Sequence, residues 1–277
     1  MDPVQKALWF VESHRRKPIT LEDVAQGCKV SPFHLTRAFA ASMGLSLMRY
    51  VRGRRLSVAA VQLAQGATNI LQVALDAGYG SHEAFTRAFR DQFGQTPEQV
   101  RNQGRLVNIQ LVEAIPMTTT PVSEIAPDRF ATREPMTFAG LVEHYACQAT
   151  QGIANQWQRF GPHLGQIPGR VGKEAYGVVY NFDKDGDFDY LCAVEVQGAP
   201  LLPDGFQTLQ VPSLKFAIFT HKGHVAGIRS TLAAIWNNWL PASGYQAAKA
   251  PTIECYGPEF NPMTGLGGFQ IWVPVQA

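Results

Sequence analysis

The chain has 277 residues, 45% of them hydrophobic and 17% charged, an ordinary composition for a water-soluble protein and a length that suits two domains better than one. No run approaches the roughly 18 consecutive apolar residues of a membrane span. The opening, with Asp2 and Pro3, leads into no apolar segment with a cleavage site, so the expected location is cytoplasmic. Charge is unevenly placed: residues 1–105 hold 3 Lys and 11 Arg against 8 acids, a net +6, while residues 106–277 hold 10 bases against 14 acids, a net −4. That asymmetry predicts that only the first part meets a polyanion.

In chain order, Val4, Ala7, Leu8 and Val11 form one apolar stripe, and Thr20 with Asp23 has the spacing of a capping box ahead of a helix through Val24 and Ala25. Ser31-Pro32 is a start signal for the next helix, a serine cap followed by proline in the first turn. Leu35 and Phe39, four apart, share its buried face, which directs His34 and Arg37 outward. Residues 47–65 then read as one long helix, with Arg49, Arg52, Arg54 and Arg55 near its start. Thr36-Arg37-Ala38-Phe39 recurs fifty residues later as Thr86-Arg87-Ala88-Phe89, with Gly44 matching Gly94 and Val24-Ala25 matching Val73-Ala74, which marks a duplication. The second copy starts at Asn69, turns at Gly78, restarts at Ser81, buries Phe85 and Phe89, and directs His82, Glu83, Thr86 and Arg87 outward. Thr96-Pro97 caps a short closing helix. The expected architecture is all-α: two three-helix bundles, each with a helix-turn-helix, on a linker helix. Paired helices of this kind can enter successive major-groove faces of DNA.

The run Ala74-Leu75-Asp76-Ala77-Gly78-Tyr79, Ser81, Phe85 to Arg90 and Gly94-Gln95-Thr96-Pro97 resembles the signature of the AraC/XylS family of transcription regulators, over roughly residues 5–105. The resemblance implies double-stranded DNA contacts by Ser31, Phe33, Thr36 and Arg37 in the first recognition helix, and by His82, Glu83, Thr86 and Arg87 in the second. His34, beside Arg37, and Ser81, at the second helix start, complete the candidate DNA-contact residues, and Arg49 and Arg52 are candidate phosphate contacts. Phe33 stands where related members often have tryptophan, so its contact is expected to be apolar.

After Arg105 the period changes from 3.6 to 2. Residues 106–112 alternate like a strand, residues 116–127 read as a loop, and the boundary is placed between 1–105 and 106–277. Two strand–helix–strand halves follow at an offset near 78. One comprises Phe138 to Tyr145, a helix with Ile153, Trp157 and Phe160, and Ala175 to Tyr180. The other comprises Phe216 to Gly223, a helix with Leu232, Ile235, Trp236 and Trp239, and Pro251 to Tyr256. An α+β fold with pseudo-twofold halves leaves a cleft at their junction. Four cysteines at 28, 147, 192 and 255 lie too far apart for a zinc site or a disulfide framework and read as buried free thiols. The acidic run Asp183 to Asp189 lacks the glycine and glutamate of a calcium loop and reads as a hairpin turn. His221 and His224 lack a third metal ligand nearby.

Residues Phe188 to Val196, Phe216 to His224, Ile235 to Tyr245, Ile253 to Tyr256 and Gln270 to Val275 resemble the GyrI-like effector-binding domain over about 106–277. Glu254, between apolar Ile253 and Cys255, matches the family's pocket glutamate, and Tyr145, Trp157, Tyr176, Trp236 and Tyr256 are the aromatics expected around it. A carboxylate among aromatic faces suits a lipophilic cation. Gln270 stands where many members carry glutamate, removing a negative charge near the expected pocket. The combined reading is a multidomain transcription regulator whose second domain binds a small organic effector and biases DNA binding or RNA polymerase contact, with no catalytic residue, cofactor or metal. The alternatives are a GyrI-like hydrolase using Glu254 and Tyr256, and a ligand-free regulator whose second domain holds partner proteins.

Overall fold

The computed structural model describes residues 2–14, 17–115, 125–147, 152–183, 185–198 and 201–276. It resolves into two compact units: Pro3–Pro32 with Leu47–Thr120, and Met1–Asp2 and Phe33–Ser46 with Pro121–Ala277. The first region contains helices α1 (Pro3–His14), α2 (Leu21–Cys28), α3 (Pro32–Met43), α4 (Leu47–Ala64), α5 (Ile70–Asp76), α6 (His82–Phe93) and α7 (Pro97–Gln103). Of these, α3 from Phe33 onward belongs to the second unit, a partition the sequence periodicity did not anticipate.

In the helical unit the caps expected at Thr20, Asn69, Ser81 and Thr96 are present. Thr20 and Asp23 form a reciprocal capping box, as do Thr96 and Gln99, while Asn69 and Ser81 accept from Gln72 N and Ala84 N. Each cap satisfies a backbone donor that the first turn leaves without a helical partner. The apolar stripe of α1 is buried, and Glu12 at its end accepts from Arg54 Nε (2.8 Å) and Tyr50 Oη (3.0 Å) of α4. Leu56, Ala60 and Leu63 of α4 share one core with Ile70, Val73 and Ala74 of α5, Phe85, Phe89 and Phe93 of α6, and Val100 of α7.

The strand expected at residues 106–112 is not formed. Leu106, Ile109 and Leu111 instead pack on the α4–α7 core, and α4 holds the segment through Ser57 Oγ, which accepts from Val112 N (2.8 Å), and Arg54 Nη1, which donates to Val112 O (2.8 Å). The alternation of apolar residues therefore reflects one face laid on a helical core, with no strand partner. Most of the expected loop that follows, residues 116–124, lies outside the described residues.

The second unit is built on one antiparallel sheet: β1 (Arg129–Arg133), β2 (Met136–Tyr145), β3 (Ala175–Tyr180), β4 (Phe188–Val196), β5 (Phe206–Val211), β6 (Leu214–His221), β7 (Gln246–Ala247), β8 (Thr252–Tyr256) and β9 (Phe269–Gln276). The order β1-β6-β9-β8-β3-β4-β2-β5, with β7 beside β9, is symmetric about the β3–β8 pair. Gly177 lies directly opposite Glu254 at that pair, and the 77-residue offset between them is the repeat offset. The expected pseudo-twofold is thus present. The outer strands are exchanged: β1 pairs with β6 of the second half, and β5 with β2 of the first.

One face of the sheet carries Phe138, Tyr176, Leu191, Phe216, Ile253 and Trp272 in a single core. Val211 of β5 and Phe216 of β6, from opposite ends of the strand order, both belong to that core, so the sheet curls around it. Helix α8 (Gly152–Phe160) covers the other face, packed on Tyr190, Cys192 and Val194. Helix α9 (Ile228–Ala234) continues into a π-helical turn, Ile235–Trp239, whose Trp239 ring meets Phe219 at 4.9 Å. The four cysteines are buried thiols, none of them in a disulfide. Asp183 Oδ1 accepts from Asp185 N and Asp187 N in the expected hairpin turn, of which Lys184 lies outside the described residues.

Candidate functional site

Strand alternation decides which side chains share a face with Glu254. Residues 252, 254 and 256 of β8 point one way, and Gly177 opposite Glu254 leaves open the space its repeat counterpart fills. A Cβ on Gly177 would collide with the Tyr190 hydroxyl and come within 2.7 Å of Glu254 Oε2. Into that space Tyr190 Oη (2.6 Å) and Tyr256 Oη (2.8 Å) both donate to Glu254 Oε2, and Trp157 Nε1 donates to Tyr190 Oη (3.1 Å). Trp157 meets the Tyr256 ring edge-on at 5.2 Å, and Phe269 stacks on Tyr256 at 4.7 Å. Glu254 is 8% exposed. Burial pushes its carboxyl up from the ordinary value, while the two tyrosine hydroxyls and the Arg37 charge pull the other way. Burial, and then the neighbouring carboxylate, push the Tyr190 and Tyr256 phenols well up.

The positive charge beside this carboxylate comes from α3. His34 and Arg37, expected to point outward, are each only 6% exposed, and Thr36 is buried with them. The periodicity correctly assigned Leu35 and Phe39 to a buried face, but the polar face of α3 is covered as well, by the GyrI-resembling unit. The Arg37 guanidinium lies 4.0 Å from the centre of the Phe182 ring, 5.2 Å from Trp236 and 5.7 Å from Phe33, and donates to Thr252 Oγ1 on the Glu254 face. His34 Nε2 donates to the Trp236 carbonyl (2.6 Å), and Asn237 Nδ2 donates to Ser42 Oγ (2.7 Å). Burial lowers the Arg37 guanidinium to about 9, with Glu254 opposing the shift, and it lowers His34 against its bond to Trp236.

Of the expected aromatics, Trp157 and Tyr256 stand at the carboxylate, and Trp236 reaches it through Arg37. Tyr145 is one ring further out, 6.5 Å from Tyr190, with its hydroxyl on Glu143 and Gln156. Tyr176 is on the wrong face: it pairs with Cys255 and packs on Phe138 and Trp272 in the opposite core. Gln270 shares that opposite face, where it accepts from Trp272 Nε1 and Arg129 Nη2. Its missing charge is therefore not at Glu254. Tyr190, Phe182 and Thr252 were not anticipated. The register of β4 on β3 places Tyr190 on the Glu254 face, and parity along a strand was the signal available for it. Both ring nitrogens of His221 are engaged, with Thr231 Oγ1 and the His224 carbonyl.

In the helical unit, α6 presents His82, Glu83 and Arg87 to solvent as expected, with Thr86 and Ser81 half-buried and Ser81 serving as the cap. Arg49 and Arg52 are exposed on α4, whereas Arg54 is held by Glu12. Ser31 is exposed and Phe33 half-buried.

A model of GyrI-like small molecule binding domains matches residues 129–276, and one of helix-turn-helix domains matches residues 24–103. The chain belongs to the GyrI-like family. Its GyrI-like domain follows an AraC-type double helix-turn-helix, and the protein is a DNA-binding transcription regulator with a small-molecule-binding domain. The transcriptional regulator Rob of Salmonella typhimurium (strain LT2) is 27% identical over 278 residues, covering 95% of this chain and 92% of Rob. The transcriptional regulator BrlR of Pseudomonas aeruginosa is 28% identical over 149 residues, 53% of this chain and 54% of BrlR. The regulatory protein SoxS of Escherichia coli (strain K12) is 34% identical over 100 residues, 36% of this chain and 94% of SoxS. Among the described residues no helix of this GyrI-like regulator is long and apolar enough to cross a membrane.

Proposed function

We propose that this regulator responds to a lipophilic organic cation bound at Glu254. The observation that carries the reading is a buried carboxylate whose neighbours are the aromatic side chains of Tyr190, Tyr256 and Trp157. Aromatic faces attract a cation by about 0.5–2 kcal/mol each when desolvated, and the carboxylate supplies the opposite charge. DNA is read by His82, Glu83, Thr86 and Arg87 of α6 and, when α3 is available, by Ser31, Phe33, His34, Thr36 and Arg37, with Arg49 and Arg52 on phosphates. The cation biases DNA binding or contact with RNA polymerase, in a cytoplasmic setting.

The test is a thermal-shift comparison on the full chain and Glu254→Gln, using tetraphenylphosphonium and the similarly shaped anion tetraphenylborate. Stabilisation of the unmodified chain by the cation alone, lost in Glu254→Gln, is the expected outcome. Stabilisation by the anion as strong as that by the cation, surviving in the variant, overturns the charge-based reading.

A further inference from the structure

We infer that Arg37 is an internal occupant of the effector site: α3 docks on the GyrI-like domain with its guanidinium where a cationic effector would sit, so an effector that takes the site releases a recognition helix. This rests on Glu254 being the cation site. Three observations point to it. The groups that the GyrI-like domain sets around Arg37, the rings of Phe182 and Trp236, Thr252 on the Glu254 face and a buried carboxylate that senses its charge, are those a lipophilic cation calls for. The docked helix is also held at separate points, by His34 on the Trp236 carbonyl and by Ser42 on Asn237, both within the π-helical turn. Such turns interrupt regular helices and are frequent at functional sites.

The third observation is an internal control. Thr36-Arg37-Ala38-Phe39 and Thr86-Arg87-Ala88-Phe89 are the same tetrapeptide in duplicated helices, yet Arg37 is buried and Arg87 is exposed. The difference arises from what covers α3, since the residues and their helical spacing are the same. Docking also hides His34, Thr36 and Arg37 together, the face that would have to enter a major groove. Effector and docked α3 therefore compete, while effector and DNA-reading α3 are compatible. Burial penalises both the Arg37 and the Glu254 charge, which keeps the docked state displaceable.

The experiment uses the full chain, tetraphenylphosphonium and peptide-resolved hydrogen exchange. Saturating cation is expected to speed exchange in α3 by roughly tenfold or more while leaving α6 unchanged. Arg37→Ala should bind the cation roughly tenfold more tightly, because the competent site is no longer occupied. The double variant Ser42→Cys with Asn237→Cys, oxidised to tether α3, should refuse the cation and accept it again after reduction. Cation binding with α3 exchange unchanged, equal affinity in Arg37→Ala and normal binding by the tethered chain overturns the inference and leaves the effector site standing. No cation binding by any form, reduced or oxidised, overturns both.

Discussion

At Gly177 a missing side chain makes room for the site, because its Cβ would occupy the meeting point of Tyr190 and Glu254. Neither neighbour is the loose end of a flexible side chain: Tyr190 is fully buried, and Glu254 is held by two hydroxyls. Gly177→Ala should therefore cost about 1–3 kcal/mol as overpacking, read from the urea midpoint, and should weaken cation binding as well. Glu254 itself gives a signed dependence on pH. Its carboxyl is raised in the folded chain, mainly by burial, so this contribution to stability is fully present below the ordinary glutamate range and is lost as pH climbs through the raised value. Urea midpoints measured from about pH 4 to about pH 8 should show that loss in the unmodified chain but not in Glu254→Gln. Cation affinity should run the opposite way, fading on acidification at a higher pH than an ordinary glutamate would set. The sequence identified Glu254, Trp157 and Tyr256 through a family resemblance, but it put Tyr176 beside them and omitted Tyr190. Both errors concern parity: a tyrosine one residue along a strand faces the other core, and the register that fixes this is a long-range property.

Among the elements, helices with strong local signals were legible from the sequence, and segments whose partners lie far along the chain were not. Thr20, Asn69, Ser81 and Thr96 cap the helices they were expected to cap, because a cap is a contact within three residues. Residues 106–112 alternate as a strand does, yet their partner is α4. The Arg54 side chain joins three pieces there, binding Glu12 of α1 and the Val112 carbonyl. Arg54→Ala should destabilise the helical unit by about 1–3 kcal/mol, since it removes charged hydrogen bonds from a site largely shielded from water. Arg87→Ala is its counterpart: the exposed guanidinium on α6 carries no folding role, so thermal stability should be unchanged. Specific DNA binding should weaken by about 1–3 kcal/mol if Arg87 reads a base edge. Unaltered promoter discrimination in Arg87→Ala would remove α6 from the reading surface.

Across the whole molecule, the charge division and the duplicated tetrapeptide announced a DNA reader joined to a different kind of domain, and the pseudo-twofold of the second region was visible as an offset. Nothing local to α3 could have shown that its polar face is buried, because every covering residue, from Phe182 to Thr252, comes from more than a hundred positions away. That arrangement has an electrostatic consequence for the full chain. The logarithm of DNA affinity should fall linearly with the logarithm of salt concentration, by roughly 0.9 in slope for each phosphate neutralised. With α3 docked, Arg37 is buried and adds nothing to that slope, whereas Arg49, Arg52 and Arg87 stay exposed. Release of α3 returns Arg37 to solvent and brings a second helix to the duplex, so tetraphenylphosphonium should steepen the slope by about one to two units as well as raise affinity at low salt. Measuring the slope with and without the cation separates this account from one in which the effector acts only on polymerase contact. In that case the slope and the affinity for bare DNA stay fixed while transcription changes.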